Sequence, residues 1–209
     1  MRYKVLSLIS GELDSPIAAY LLARRGFKVD LLHFDAESYN EGILLYKTTR
    51  IFERFKKNNI VKRLYVVHQK YLLDILTKEV PPNLLIVVWR RFMVRIAERI
   101  AKRYGYDFLA TGDSIGQVAS QTIYNMYVID QTTEMHILKP LLLWNKKDII
   151  KMNHKLGIYD ITSITSSCLL GIPLKSKTCT KLSEILKIEE KLNVEELVDK
   201  YKENLEILE

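Results

Sequence analysis

Residues 9–26 read ISGELDSPIAAYLLARRG and follow directly on the apolar run Tyr3-Lys4-Val5-Leu6-Ser7-Leu8. The run reads as a buried strand and the segment from Ser15 as an amphipathic helix, so Ser10 to Asp14 form the turn between them. A helix N-terminus presents unpaired N–H groups and the positive end of the dipole, and a turn of small residues placed there makes an anion site. Ser15 is expected to cap the helix, with Pro16 at the first helical position, where its missing N–H costs nothing. Ser10, Ser15 and the turn amides would then surround a phosphate chain, and Asp14 would hold a Mg²⁺ bridging its oxygens. Glu12 fits badly, because it adds a negative charge to the same turn. Neither the Gly-Lys-Ser/Thr ending of a P-loop nor GxGxxG is present.

Working outward, strand and helix patterns alternate. Lys28–Phe34 reads as a second strand, 42–57 as a helix and Lys62–Val67 as a third strand. Asn83–Tyr104 reads as a long helix stopped by Gly105. The strand Asp107–Ala110 follows, then His136–Leu138, and a helix over Asn145–Leu156 stopped by Gly157. This order predicts an α/β, Rossmann-like fold: a five-stranded parallel sheet with helices on both faces. Residues 1–179 would form the nucleotide-binding domain. Residues 180–209, with apolar spacing through Leu182, Ile185, Leu197 and Leu205, would form a C-terminal helical extension packed on it.

The chain has 209 residues, 48% hydrophobic and 27% charged, which suits one main core. No apolar run reaches the roughly 18–20 residues of a membrane-spanning helix, and no signal-peptide cleavage region precedes the first strand, so a soluble cytoplasmic protein is expected. Two cysteines and four histidines without ligand spacing argue against a structural zinc. The net charge of +7 is uneven: residues 180–209 carry five Lys against nine acids, leaving the rest with 27 basic and 16 acidic side chains. Such a field attracts polyanions, although a basic surplus also serves solubility. On the long helix Arg91, Arg95, Arg99 and Lys102 form a stripe opposite an apolar arc, readable as a solvated face balanced by acids or as RNA contacts.

A second segment, Thr111-Gly112-Asp113-Ser114-Ile115-Gly116-Gln117-Val118-Ala119-Ser120-Gln121-Thr122, lies just after a predicted strand, at the carboxyl edge where open parallel sheets bind ligands. With Arg90-Arg91-Phe92-Met93 upstream and Lys139-Pro140-Leu141 downstream, the chain resembles, over nearly its whole length, the pyrophosphatase-loop domain of ThiI-type tRNA 4-thiouridine synthetases, of the adenine nucleotide alpha hydrolase (HUP) type. The resemblance implies that ATP adenylates O4 of a uridine in tRNA with release of pyrophosphate, and that sulfur then displaces AMP. It implies nucleotide contacts from Leu8, Ile9, Ser10, Gly11, Ser15, His33, Phe34, Arg90, Gly112 and Gln121, with Asp14 catalytic through its metal. Cys168, in Ser166-Ser167-Cys168-Leu169-Leu170-Gly171, matches the family's sulfur-relay cysteine. Cys179 matches no family cysteine. It is expected either to resolve Cys168 or to be incidental.

Three departures from the family pattern stand out. Glu12 replaces the usual second glycine of the loop, so binding depends on whether that position needs glycine's conformational freedom. The family's upstream THUMP-type RNA-binding module and its C-terminal rhodanese module have no counterpart in these 209 residues. The expected partners are therefore tRNA, a separate RNA-binding protein, and a sulfur donor that is a persulfide carrier or sulfide. The same residues leave room for a nucleotide-binding scaffold without catalysis, or for an adenylating enzyme acting on a small molecule.

Overall fold

A computed structural model describes residues 3–36, 42–165, 176–201 and 205–209. Its strands are β1 (Lys4–Leu8), β2 (Lys28–Asp35), β3 (Val61–His68), β4 (Phe108–Ala110), β5 (Ile137–Leu138) and β6 (Glu206–Leu208). The helices are α1 (Asp14–Arg24), α2 (Ile43–Lys57), α3 (Lys70–Glu79), α4 (Leu85–Tyr104), α5 (Ile123–Asp130), α6 (Lys146–Leu156), α7 (Tyr159–Thr162), α8 (Leu182–Glu189) and α9 (Val194–Asp199). A short 3₁₀ turn covers Ala119–Gln121.

The sheet order is β5-β4-β1-β2-β3-β6. The first five strands are parallel, as expected, and β6 adds an antiparallel edge to β3 through Leu64↔Leu208 and Val66↔Glu206. Successive side chains on a strand point to opposite faces, and each face of this sheet meets its own apolar layer. Leu6, Leu32, Tyr65 and Val67 pack with Leu72, Trp89, Phe92, Ile96, Ile185 and Val198 on one side. Val5, Leu31, Leu64 and Val66 pack with Ile17, Leu22, Ile51, Phe55 and Ile149 on the other. Burial on both faces is what turns short Val/Leu runs into parallel strands. Strand order reverses at β1, with β2 on one side and β4 on the other, so the loops leaving β1 and β4 diverge to opposite faces and open a crevice at their carboxyl ends.

Several expectations need correction. Helix α1 begins at Asp14, one residue before the expected cap, and its cap position is Leu13, which makes no side-chain capping bond. Ser15 therefore lies inside the first turn, and its hydroxyl is engaged by the loop. Helices α3 and α5 were not anticipated. The C-terminal segment, read as one or two helices, holds α8 and α9 and continues into β6.

The stripe on α4 is balanced by acids, one of its two readings, although Arg91 is enclosed and not solvated. Arg91 is 1% exposed, and with Arg95 it grips one carboxylate: Arg91 Nε and Nη2 donate to Glu189 at 2.8 and 2.9 Å, and Arg95 Nη1 and Nη2 at 2.7 and 2.8 Å. Arg91 also donates to the Val128 carbonyl. Arg99 pairs with Glu195 and Asp199, and Lys102 with Glu98 at 2.8 Å. The three arginines thus bind the acidic segment 182–199. Burial alone would push the Glu189 carboxyl up, but the forked hydrogen bonds from Arg91 and Arg95 outweigh it and hold the group at about 2.

Replacing Glu189 by Ala leaves the enclosed Arg91 guanidinium without its charge partner, and a loss of about 3–5 kcal/mol is expected, read as a lowered urea midpoint. Because the folded carboxyl lies below its ordinary value near 4.5, its contribution is complete above that pH and is lost as pH falls toward 2. The wild type should lose stability through that window more steeply than the variant.

Candidate functional site

The β1–α1 loop is shaped from beneath by α2. Gly11 adopts φ +76, and a Cβ there would lie 3.0 Å from both Lys47 Cβ and Thr48 Oγ1, so both conformation and space demand glycine. Glu12 does not share this demand, since Asn59 is the one non-glycine residue at positive φ among the described residues. The substitution that departs from the family pattern is therefore free of backbone strain.

The loop is braced internally. Ile9 N donates to Leu32 O at 2.9 Å, tying the end of β1 to β2. Ser10 N donates to Ser15 Oγ at 3.0 Å, the two serine hydroxyls lie 3.2 Å apart, and Glu12 N donates to Ser10 Oγ at 3.3 Å. From α6, Asn153 Nδ2 donates to Leu13 O at 2.9 Å. Lys146 Nζ lies 3.4 Å from Asp14 Oδ2.

The β4 loop meets this turn directly. A Cβ on Gly112 would come 2.7 Å from both Ser15 N and Ser15 Cα. Only glycine lets the two backbones approach so closely. The next residue, Asp113, draws in α4: Arg90 Nη2 lies 2.8 and 3.0 Å from its two carboxylate oxygens, and Thr111 Oγ1 donates to it at 2.8 Å. Arg90 Nη1 also reaches Ser120 Oγ at 3.5 Å, beside Gln121. Asp113 is thus the partner that fixes Arg90; its place in TGDSIGQ is visible in the sequence, but this contact is not.

Across β1, His33 and Phe34 end β2 in the interior. His33 Nδ1 lies 2.9 Å from the Ile9 carbonyl, which can only accept, so Nδ1 carries the hydrogen and Nε2 is the acceptor. Burial pushes this imidazole below its ordinary value, with the Ile9 carbonyl and Asp35 acting in the opposite direction. Asp14 moves the other way. Burial raises its carboxyl, Lys146 partly opposing.

Six buried side-chain polar atoms lack a partner among the described residues, and three of them are Asp14 Oδ1, His33 Nε2 and Gln121 Oε1. All three are acceptors on residues expected to form the site. Buried acceptors normally find donors, and a nucleoside offers amine and hydroxyl hydrogens to such groups. The Asp14 carboxylate would repel phosphates unless a cation joined them, so its orphaned oxygen fits a Mg²⁺ held mainly by phosphate oxygens and water. No group of three or more His, Cys, Asp or Glu able to hold a metal occurs among the described residues.

Cys179 is exposed. Its flanks are fixed near the Gln121 turn: Thr122 Oγ1 donates to Thr178 O at 2.6 Å, and Thr180 N donates to Asn125 Oδ1 at 3.0 Å. Cys168 lies outside the described residues. A cavity of about 540 Å³ sits at the opposite, amino edge of the sheet, beside Arg24, Arg54, Asn58 and Lys155. There the C-terminal turns of α1, α2 and α6 present negative dipole ends that basic side chains offset, and none of the expected site residues lines it.

A parallel sheet whose two glycine-bearing loops meet at the strand-order reversal defines a Rossmann-like pyrophosphatase-loop domain. The chain belongs to the ThiI family, described as thiamine biosynthesis protein (ThiI), which matches residues 1–194. It is 35% identical over 205 residues to a probable tRNA sulfurtransferase of Finegoldia magna, covering 97% of this chain and 52% of that protein. Against the probable tRNA sulfurtransferase of Thermus thermophilus, identity is 36%, with 93% and 48% covered. A 4-thiouridine synthetase solved as an RNA complex with bound ATP superposes with a TM-score of 0.91 at 28% identity, covering 99% of this chain and 55% of that one. The chain spans about half the length of the curated relatives it matches. No helix among the described residues is long and apolar enough to cross a membrane.

Gly112→Ala should cost about 1–3 kcal/mol by forcing the two loops apart, and should weaken ATP binding beyond what the lower melting temperature accounts for. Calorimetric titration below the transition separates the two effects.

Proposed function

We propose that this chain is the ATP-dependent catalytic domain of a tRNA-thiolating enzyme: uridine O4 attacks the α-phosphorus of ATP, pyrophosphate leaves, and sulfur then displaces AMP from C4. The observation that carries the reading is the gathering of orphaned acceptors on Asp14, His33 and Gln121 around the meeting of the β1 and β4 loops. Relatives named tRNA sulfurtransferases and a like-folded ATP–RNA complex of a 4-thiouridine synthetase support it.

In this reading the amides of the Ser10–Ser15 turn and the N-terminus of α1 receive the phosphates, where the helix dipole favours negative charge. His33 Nε2 and Gln121 Oε1 accept hydrogen bonds from the nucleoside, with Leu8, Ile9 and Phe34 supplying apolar contact. Arg90 and Gly112 complete the far wall, Arg90 fixed by Asp113. A Mg²⁺ held through Asp14 would neutralise charge building on the departing pyrophosphate. O4 is a poor leaving group until adenylated; afterwards it departs with AMP.

Sulfur delivery is assigned to Cys168, in keeping with the family resemblance: its thiolate takes the outer sulfur of a carrier persulfide and releases the carrier thiolate, whereas free sulfide, as the alternative source, would attack C4 directly without passing through Cys168. As a persulfide, Cys168 would be resolved when the Cys179 thiolate attacks its inner sulfur, forming a Cys168–Cys179 disulfide and releasing sulfide as the leaving group. A thiol reductant then resets the pair. With Arg91, Arg95 and Arg99 engaged internally, tRNA binding by this chain rests on its other basic side chains meeting the RNA phosphates, and a separate RNA-binding protein supplies recognition. Affinity should therefore be no tighter than about 10⁻⁶ M at physiological salt and should fall steeply as salt rises. Sub-micromolar selective binding by this chain would overturn that division of labour.

Titration with ATP and Mg²⁺ should show binding and tRNA-dependent pyrophosphate release in the wild type and at least a tenfold loss of release in Asp14→Ala. Equal release in both would sink the assignment. Binding without release would make the chain a nucleotide-sensing scaffold. Cys168→Ser should abolish thiolation while keeping pyrophosphate release. Full thiolation by that variant at limiting sulfide would remove cysteine chemistry from the mechanism.

A further inference from the structure

Glu12 is the residue least suited to a phosphate loop, and α2 holds a counterpart directly under it. The Lys47 side chain is 0% exposed, its Nζ lies 3.5 Å from Glu12 Oε1, and it donates to the Ile164 carbonyl at 2.9 Å. Its Cβ lies against Gly11, at the 3.0 Å limit that excludes any side chain there. Its neighbour Thr48 touches the same glycine and lies 3.4 Å from His33 Nδ1. One turn of α2 therefore underlies the loop, its acidic residue and the buried imidazole together.

An enclosed ammonium needs a compensating charge, and the Glu12 carboxylate, 47% exposed, reaches inward to provide it. The same contact eases the difficulty posed by Glu12: a carboxylate 3.5 Å from a buried ammonium on α2 has part of its charge offset there. Resting on the nucleotide reading above, we propose that Lys47 is a positioning residue for the phosphate loop, and that Glu12 and Lys47 act as one neutral unit where the family pattern has a glycine. The pair also joins the loop to Ile164, the carbonyl that anchors the chain shortly before Cys168.

The inference requires effects of opposite sign that cancel. Lys47→Met removes the ammonium that faces Glu12 and makes the ground beneath the loop one charge more negative, and the Kd for Mg-ATP should rise about tenfold. Glu12→Gln leaves the ammonium uncompensated beneath the loop, and the Kd should fall by about threefold or more. The double variant, which lacks both charges, should return to within about threefold of wild type, the two single effects offsetting each other. Adenosine, which lacks phosphates, should bind all four proteins alike, whereas a merely structural role for Lys47 would weaken adenosine and ATP together. Glu12→Gln changes a half-exposed side chain, so it tests the idea even if Lys47→Met fails to fold. Wild type that binds ATP while Glu12→Gln binds it unchanged, or a double variant as weak as Lys47→Met, would overturn the pairing. Wild type that binds no ATP would instead overturn the nucleotide reading itself.

Discussion

The close approach of Gly112 to the backbone of Ser15 is the constraint on which the functional end of the molecule rests. Strand β1 sits between β2 and β4, and the connections leaving β1 and β4 must diverge to opposite faces of the sheet. They meet backbone to backbone at Gly112 and Ser15. Everything else at that end is fastened to one side of the contact or the other. Asn153 on α6 holds Leu13, and Arg90 on α4 holds Asp113. The site is thus assembled from elements of both faces, with its geometry set by main chain and its chemistry by a few side chains aimed into the crevice.

A second organising force is electrostatic and internal. The excess of acids after residue 180 and the excess of bases before it resemble, in the sequence, two separate surface properties. In the fold they largely meet each other: Glu189 with Arg91 and Arg95, Glu195 and Asp199 with Arg99, and Glu209 with Arg63 at 2.6 Å. Net charge remains +7, but much of the basic helix face is already answered.

These particulars explain what could be read from the chain. The turn around Gly11 and the alternation of strands with helices are local patterns, and each produced the element expected of it. Helix α5, Ile-Tyr-Asn-Met-Tyr-Val-Ile-Asp, mixes apolar and aromatic residues on all sides and shows no face. Strand β6 is three residues long and exists only because β3 offers an edge. The arginine stripe was correctly placed on one side of α4, yet a helical projection cannot reveal what covers that side, and its partner Glu189 lies 98 residues from Arg91. Arg90 stands out in its motif, whereas its pairing with Asp113, 23 residues on, has no local signal. In the same way Glu12 read as a defect until Lys47 came into view beneath it.

The short strand β6 also bears on how the protein behaves in company. Strand β3 spans eight residues, and an open edge of that length is a template on which another chain can add a strand. Glu206–Leu208 occupies part of it, and Glu206 and Glu209 place charge along the margin. On the far side the sheet stops at β5, only two residues long and too short to seed an addition. Crowded molecules of this chain therefore have little backbone to share sheet-to-sheet, so its associations are left to side-chain surfaces, where they can be selective.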